Sequence, residues 1–231
     1  MATNSKIQMK CSLNEIELNS RKAARGCGLP WGVADEVGKA VRWLHAFGLE
    51  AVTICAASLN QHDHSSYFDY APLSLDGDWQ SRSETLSPIM TGISLCDCLN
   101  MMENQPIKTK EIAWPLLAVG FLGQAALVKE QALRISWDSV VLVLYRDALH
   151  ISGKLEDLNV ASTSSLICER LSASADHAQE SLGVSQELHI GDAAIDMDAW
   201  AQLSEYAYRT YVEATEASRL SGAGAGLNDN D

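Results

Sequence analysis

The sequence predicts an α+β fold, with helices at both ends and a mainly antiparallel sheet in the middle and C-terminal half. Residues 12–48 repeat apolar side chains every three or four positions, which is helical spacing. Residues 132–152 alternate apolar and polar side chains, which is strand spacing. Runs of strand gathered between terminal helices, with no Pro, Gly or Ser-rich linker and no internal repeat, suit one α+β domain over 1–231.

The first eleven residues form a polar N-terminal segment. Ser12 to Glu15 then reads as a capping box, the Ser12 hydroxyl accepting from the Glu15 amide and the Glu15 carboxylate from the Ser12 amide. Ile16, Ser20, Ala23, Ala24 and Cys27 line the face of a first helix, and Gly28 stands where a left-handed cap ends it. Pro30 opens a second helix with Val33, Val37, Val41 and Leu44 on one face, ended by Gly48. Ala34 and Gly38 let a neighbour come close. Glu17–Arg21 and Asp35–Lys39, each four apart, read as surface ion pairs. Together residues 12–48 form an αα-hairpin.

Glu50–Leu59 is Ala-rich and reads as helix, with Val52-Thr-Ile54 leaving strand as the alternative. Residues 60–85 read as a long polar excursion with one short hairpin, and loops of that length are uncommon unless functional or mobile. Pro88–Met101 reads as a strand running into a helix. Glu111–Val119 is an apolar run of strand length, and Phe121–Gln131 follows with helical character. Residues 111–190 are otherwise sheet-rich: Ala132–Trp137, Val140–Tyr145 and Ala148–Ser152 form a meander, and Val160–Leu171 and Glu187–Ile190 add strands. Asp196 caps a helix over Met197–Tyr211 within a C-terminal segment 196–220. A Gly/Asp tail, 221–231, closes the chain.

Two blocks carry a family resemblance. The first is SLNEIE, then AARGCGLPWG, continuing through Glu36, Ala40, Arg42, Trp43 and Leu44. The second is Arg209-Thr-Tyr-Val212, then Glu216, Ser218, Arg219, GAGAG and DND. With these blocks the chain resembles an uncharacterised bacterial family catalogued as a domain of unknown function. Glu213 departs from the proline expected there. The resemblance implies a single-domain protein and supplies no reaction.

A net charge of −13 argues against nucleic acid, which needs a clustered basic face. The first 48 residues nevertheless hold seven Lys/Arg against four Asp/Glu, so the hairpin is the basic part of an acidic chain. Met1–Lys6 has no apolar run behind it, so no signal peptide is expected. The most apolar stretch, Ile112–Val128, falls short of the ~20 residues a spanning helix needs, so no membrane is expected. Six cysteines without a secretory signal predict reduced thiols and a cytoplasmic protein.

Arg25, Trp31, Arg42 and Trp43 of the hairpin, with Arg209, Tyr211 and Arg219 near the end, form the candidate ligand-binding set. Arginine offers a planar fork for a carboxylate, and tryptophan a flat wall. Glu36 and Glu216 are the weak candidates for acid or base. The expected ligand is a small organic anion or amino-acid-like molecule, in a pocket between the hairpin and the C-terminal segment. A structural reading competes: Arg25 caps carbonyls, Glu36 pairs with Arg42, and the tryptophans fill the core. A non-catalytic partner subunit, with a Trp-rich interface for another protein, is the alternative function.

Other motifs are weaker. Gly222, Gly224 and Gly226 lack the strand and helix of a dinucleotide loop, and are expected to dock the tail on the body. Asp229 and Asp231 are weak candidates for Mg²⁺ or Ca²⁺. His62–His64 and Cys96–Cys98 have one intervening residue, where structural zinc uses two to four, and Cys27 is expected to pack in the core. No cofactor is named by these residues.

Overall fold

The computed structural model describes residues 8–9, 11–103, 105–145, 148–171, 186–188 and 194–211. Strand β1 (Gln8–Met9) precedes the hairpin helices α1 (Leu13–Gly26) and α2 (Trp31–Ala46). α3 (Ala51–His62), β2 (Asp78–Trp79) and α4 (Pro88–Asp97) follow, then β3 (Ile107–Thr109), β4 (Ile112–Ala113) and α5 (Pro115–Val128). Next come β5 (Ala132–Trp137), β6 (Val140–Tyr145), β7 (Ala148–Ser152), β8 (Ser162–Thr163) and β9 (Ile167–Leu171). β10 (Gln186–Leu188), β11 (Ile195–Asp196) and α6 (Met197–Tyr208) complete the described elements.

The α+β class holds. A seven-stranded sheet runs in the order β10-β7-β6-β5-β9-β3-β2, antiparallel except where β2 joins β3 in parallel. β5 to β7 are the expected meander. Leu133, Ile135 and Trp137 are buried on one face, while Arg134 lies opposite Glu169 and pairs with it at 3.4 Å. α5 packs on β5 and β6 on one side and on α2 and α4 on the other, and one apolar cluster runs from Ile16 of α1 through Leu116 and Leu122 of α5 to Leu133 of the sheet.

Both helices of the hairpin form as expected. The Ser12 amide donates to Glu15 Oε2 at 2.8 Å, and the Glu15 amide donates to Ser12 Oγ at 3.3 Å. The Ser12 hydroxyl, which also donates to Glu15 Oε2 at 2.7 Å, and then the Ser12 amide hold the Glu15 carboxyl below its ordinary range. Gly28 takes φ +94°, the left-handed turn a Cβ would disfavour. Gly38 earns its place by contact: a Cβ there would stand 2.7 Å from the Glu17 carbonyl oxygen.

Several elements differ from expectation, for identifiable reasons. Pro88–Asp97 is helical from its first residue, because Ser87 caps the Met90 amide and Pro88 has no first-turn hydrogen to lose. The expected strand over 111–119 is only Ile112–Ala113, and Pro115 opens α5. Burial on nearly every side of α5 removes the polar stripe that marks a helix in sequence. The excursion holds no hairpin: α3 continues to His62, a 3₁₀ turn covers Tyr67–Tyr70, and Asp78–Trp79 becomes a parallel edge strand that buries Trp79. The strand expected over 160–171 is two pieces, β8 with β4 and β9 with β3 and β5. The last helix stops at Tyr208, three residues early, as Arg209 caps it.

Candidate functional site

α1 is the element that α2 and α6 share. Gly26 meets α6 so closely that a Cβ would lie 1.9 Å from the Tyr206 carbonyl oxygen, and Asn19 Nδ2 donates to Ser204 Oγ at 3.2 Å. Glu17 and Arg21 face the other way, toward α2.

The candidate residues therefore divide among separate places. Arg42 Nη1 meets Glu17 Oε2 at 2.8 Å on the open face of the hairpin, and Arg21 meets Asp35 at 3.5 Å. These inter-helix pairs replace the expected Glu17–Arg21 pair. Glu36 binds Lys39 at 2.6 Å, so neither Asp35–Lys39 nor Glu36–Arg42 forms. The close approach at Gly38 causes this exchange, bringing partners across the hairpin within reach. Trp43 points toward α5, its ring 2.3 Å from where a Gly123 Cβ would sit and 4.7 Å from Phe47. Arg25 Nη1 donates to the Leu29 carbonyl at 3.0 Å, as the capping reading expected, and its guanidinium lies 5.3 Å from the ring of Trp31. Trp31 is 54% exposed and fills no core.

Arg209 and Tyr211 do meet the N-terminal part of the chain. Arg209 Nη1 donates to both oxygens of Asp63 at 2.7 and 2.9 Å, and Lys22 Nζ donates to Tyr211 Oη at 2.8 Å. The Arg209 bond holds the Asp63 carboxyl below its usual value. Glu216, Arg219, Asp229, Asp231 and the glycines of the tail lie outside the described residues, and so does the expected docking of that tail.

Beside the Arg209–Asp63 bridge lies a narrow recess with a cavity volume of about 20 Å³, room for roughly one water. The hairpin turn supplies Cys27 and Leu29, and α3 supplies Ser58, Leu59 and His62. Tyr67 and Tyr70 of the 3₁₀ turn and Ser87 and Ile89 at the start of α4 close it, with Ser65 also lining it. Ser58 and His62 are one helical turn apart and share a face. Ser58 is fully buried, yet its hydroxyl has no hydrogen-bond partner, and neither ring nitrogen of His62 has one. The His62 ring rests 4.2 Å from that of Tyr70. Burial pulls its pKa down to about 4, so the imidazole is neutral at pH 7. Burial and the negative charge of Asp63 push the Cys27 thiol up to about 12.

Sequence reasoning passed over Ser58 entirely and weighed His62 only for zinc. Among the described residues no three His, Cys, Asp or Glu side chains gather closely enough to hold a metal. The available signal was a serine and a histidine four apart on an Ala-rich helix, polar groups on a face that had to be buried.

No helix among the described residues is long and apolar enough to cross a membrane. Neither the curated proteins nor the solved structures compared with this chain gave a match. A family model described as "Protein of unknown function (DUF3726)" does match, over residues 11–84, so the hairpin, α3 and the 3₁₀ turn of the recess all fall within the stretch that is similar to this uncharacterised family.

Proposed function

We propose that the protein binds a small organic molecule in the recess between the hairpin turn, α3 and α4, with Arg209 of the C-terminal segment tying down its rim through Asp63. One observation carries this reading: Ser58 Oγ and both nitrogens of His62 are buried on one face of α3 without partners, at the wall of a narrow recess that must widen to admit more than a water. A buried polar group left unpaired costs about 1–3 kcal/mol. Folded proteins keep few such groups, and each one calls for a reason. An ordered water, or a ligand group that takes its place, supplies it.

Binding is favoured over turnover by the protonation states. An imidazole with a pKa near 4 is a weak general base at pH 7, and a thiol near 12 is a weak nucleophile. The organic anion expected from the sequence remains the ligand class to test first, although Arg42 and Arg209 are already engaged by carboxylates.

The test is thermal-shift screening of the full chain against organic acids, amino acids, nucleotides and divalent metals. A ligand at about 100 times its dissociation constant adds roughly 2.7 kcal/mol of stability. That gain disappears in Ser65→Trp, which fills the recess from its exposed edge. A silent panel contradicts the reading and leaves the partner-subunit alternative. That alternative rests on the aromatic side chains at the end of α6, where the rings of Tyr208 and Tyr211 lie 5.9 Å apart, tilted at 38°, and are 74% and 60% exposed. Exposed tyrosines of this kind anchor protein interfaces.

A further inference from the structure

We propose that the outer stripe of α1 is a docking surface for an acidic, amphipathic segment of another protein. Carboxylates of that segment meet Lys22 and Arg25, and its apolar side chains lie on Leu18, Trp31, Tyr208 and Tyr211. Docking there does not require a ligand in the recess.

Asn19 and Gly26 of α1 meet α6, and Glu17 and Arg21 meet α2. Leu18, Lys22 and Arg25 stand between those two sides, three or four residues apart on one stripe. Each cation of the stripe is held against an exposed aromatic ring. Lys22 Nζ lies 4.7 Å from the centre of the Tyr211 ring, and the Arg25 guanidinium lies 5.3 Å from that of Trp31. Tyr208 extends the surface beyond Tyr211, and Leu18 is exposed as well.

The charge of the partner follows from how the cations are used. Arg21, Arg42 and Arg209 each have a carboxylate oxygen within 3.5 Å. Among the described residues Lys22 and Arg25 have none: Lys22 donates to the Tyr211 hydroxyl and Arg25 to the Leu29 carbonyl. A ring or a carbonyl orients a cation without cancelling its charge. In a chain of net charge −13, two such cations side by side are left for an anion from outside. The side chains around them set what else that anion carries, since tryptophan, tyrosine and arginine are enriched among the anchors of protein interfaces. A second copy of this chain fits less well, because a two-fold contact through the stripe sets Lys22 and Arg25 against their own counterparts. Two cations also fall short of the clustered basic face that nucleic acid needs.

The experiment selects a displayed library of random short peptides on the full chain and measures the enriched peptides by fluorescence polarisation. They are expected to carry Asp or Glu about one helical turn apart, beside leucine or aromatic residues. The double variant Lys22→Gln, Arg25→Gln is expected to weaken their binding at least roughly tenfold, the worth of a hydrogen bond to a charged group. Replacing the peptide's acids by Asn and Gln is expected to do the same to the wild type. Arg134→Gln, which removes a cation from the sheet, is expected to change nothing. An absence of enrichment, enriched peptides without an acidic excess, or equal binding to the double variant overturns the proposal. Self-association that the double variant abolishes would assign the stripe to a second copy, and single-stranded DNA bound more tightly than the peptides would assign it to nucleic acid. Either result overturns the acidic segment as its occupant.

Discussion

The open face of the hairpin and the recess behind its turn treat polar groups in opposite ways. On the open face Arg42, Glu17, Arg21, Asp35, Glu36 and Lys39 each have an opposite charge within 3.5 Å, in side chains that are partly exposed. In the recess Ser58 and His62 are withdrawn from water and have nothing. Charge density in a sequence thus marks a surface that can satisfy itself. The candidate site is marked by what folding leaves unsatisfied, and much smaller, uncharged side chains carry it.

The largest expected effect breaks the frame that both regions share. Gly26→Ala forces a methyl into the Tyr206 carbonyl and should cost about 2–3 kcal/mol in urea unfolding, lifting α6 and Arg209 from the hairpin. An unchanged midpoint would show that α6 is not seated there.

The next effect belongs to the recess alone. A histidine whose folded pKa is pulled from 6.5 to about 4 binds fewer protons folded than unfolded between those values. Stability therefore falls as pH drops from 6.5 to 4. The loss is about 2 kcal/mol after allowing for partial exposure of the ring. His62→Gln should flatten that slope in unfolding curves taken at pH 7, 5.5 and 4. A slope common to both proteins would place the titration elsewhere.

Arg209→Ala removes the bridge at the rim and should cost about 1 kcal/mol. The Asp63 carboxyl is depressed in the fold, so its contribution is whole above the ordinary value of 3.8 and fades as pH falls below it. A double-mutant cycle with Asp63→Asn measures the pair. On the open face, Arg42→Ala should change stability by about 0.3 kcal/mol, because both partners are exposed. Ser58→Ala should be smallest in stability, neutral or slightly stabilising, because it deletes an unpaired hydroxyl rather than a bond. A loss above 2 kcal/mol in Ser58→Ala would give that hydroxyl a structural partner and remove it from the site.

The hairpin and the meander were legible because local rules decide them. Ser12, Glu15, Gly28 and Pro30 act within a few residues of themselves, and Leu133, Ile135 and Trp137 declare their face by period alone. α5 was not legible, since a helix buried all round loses its period. The ion pairs were misread because partners four apart compete with partners across a close helix crossing, and Gly38 tips that contest. The recess draws on residues 27–29, 58–70 and 87–89, three stretches joined only by packing. Of the expected arginines, Arg25 reaches the recess through the Leu29 carbonyl and Arg209 stands beside it through Asp63, a residue no motif singled out.

The most direct test follows the ring signal of His62 by NMR while the panel of organic acids, amino acids and nucleotides is titrated into the full chain. Six histidines make the spectrum readable, and His62→Gln identifies the signal. A compound that shifts the His62 signal saturably, in wild type and not in Ser65→Trp, is the result expected of a ligand site on α3. A His62 signal that stays still for every compound, or moves equally when the recess is filled, would contradict it.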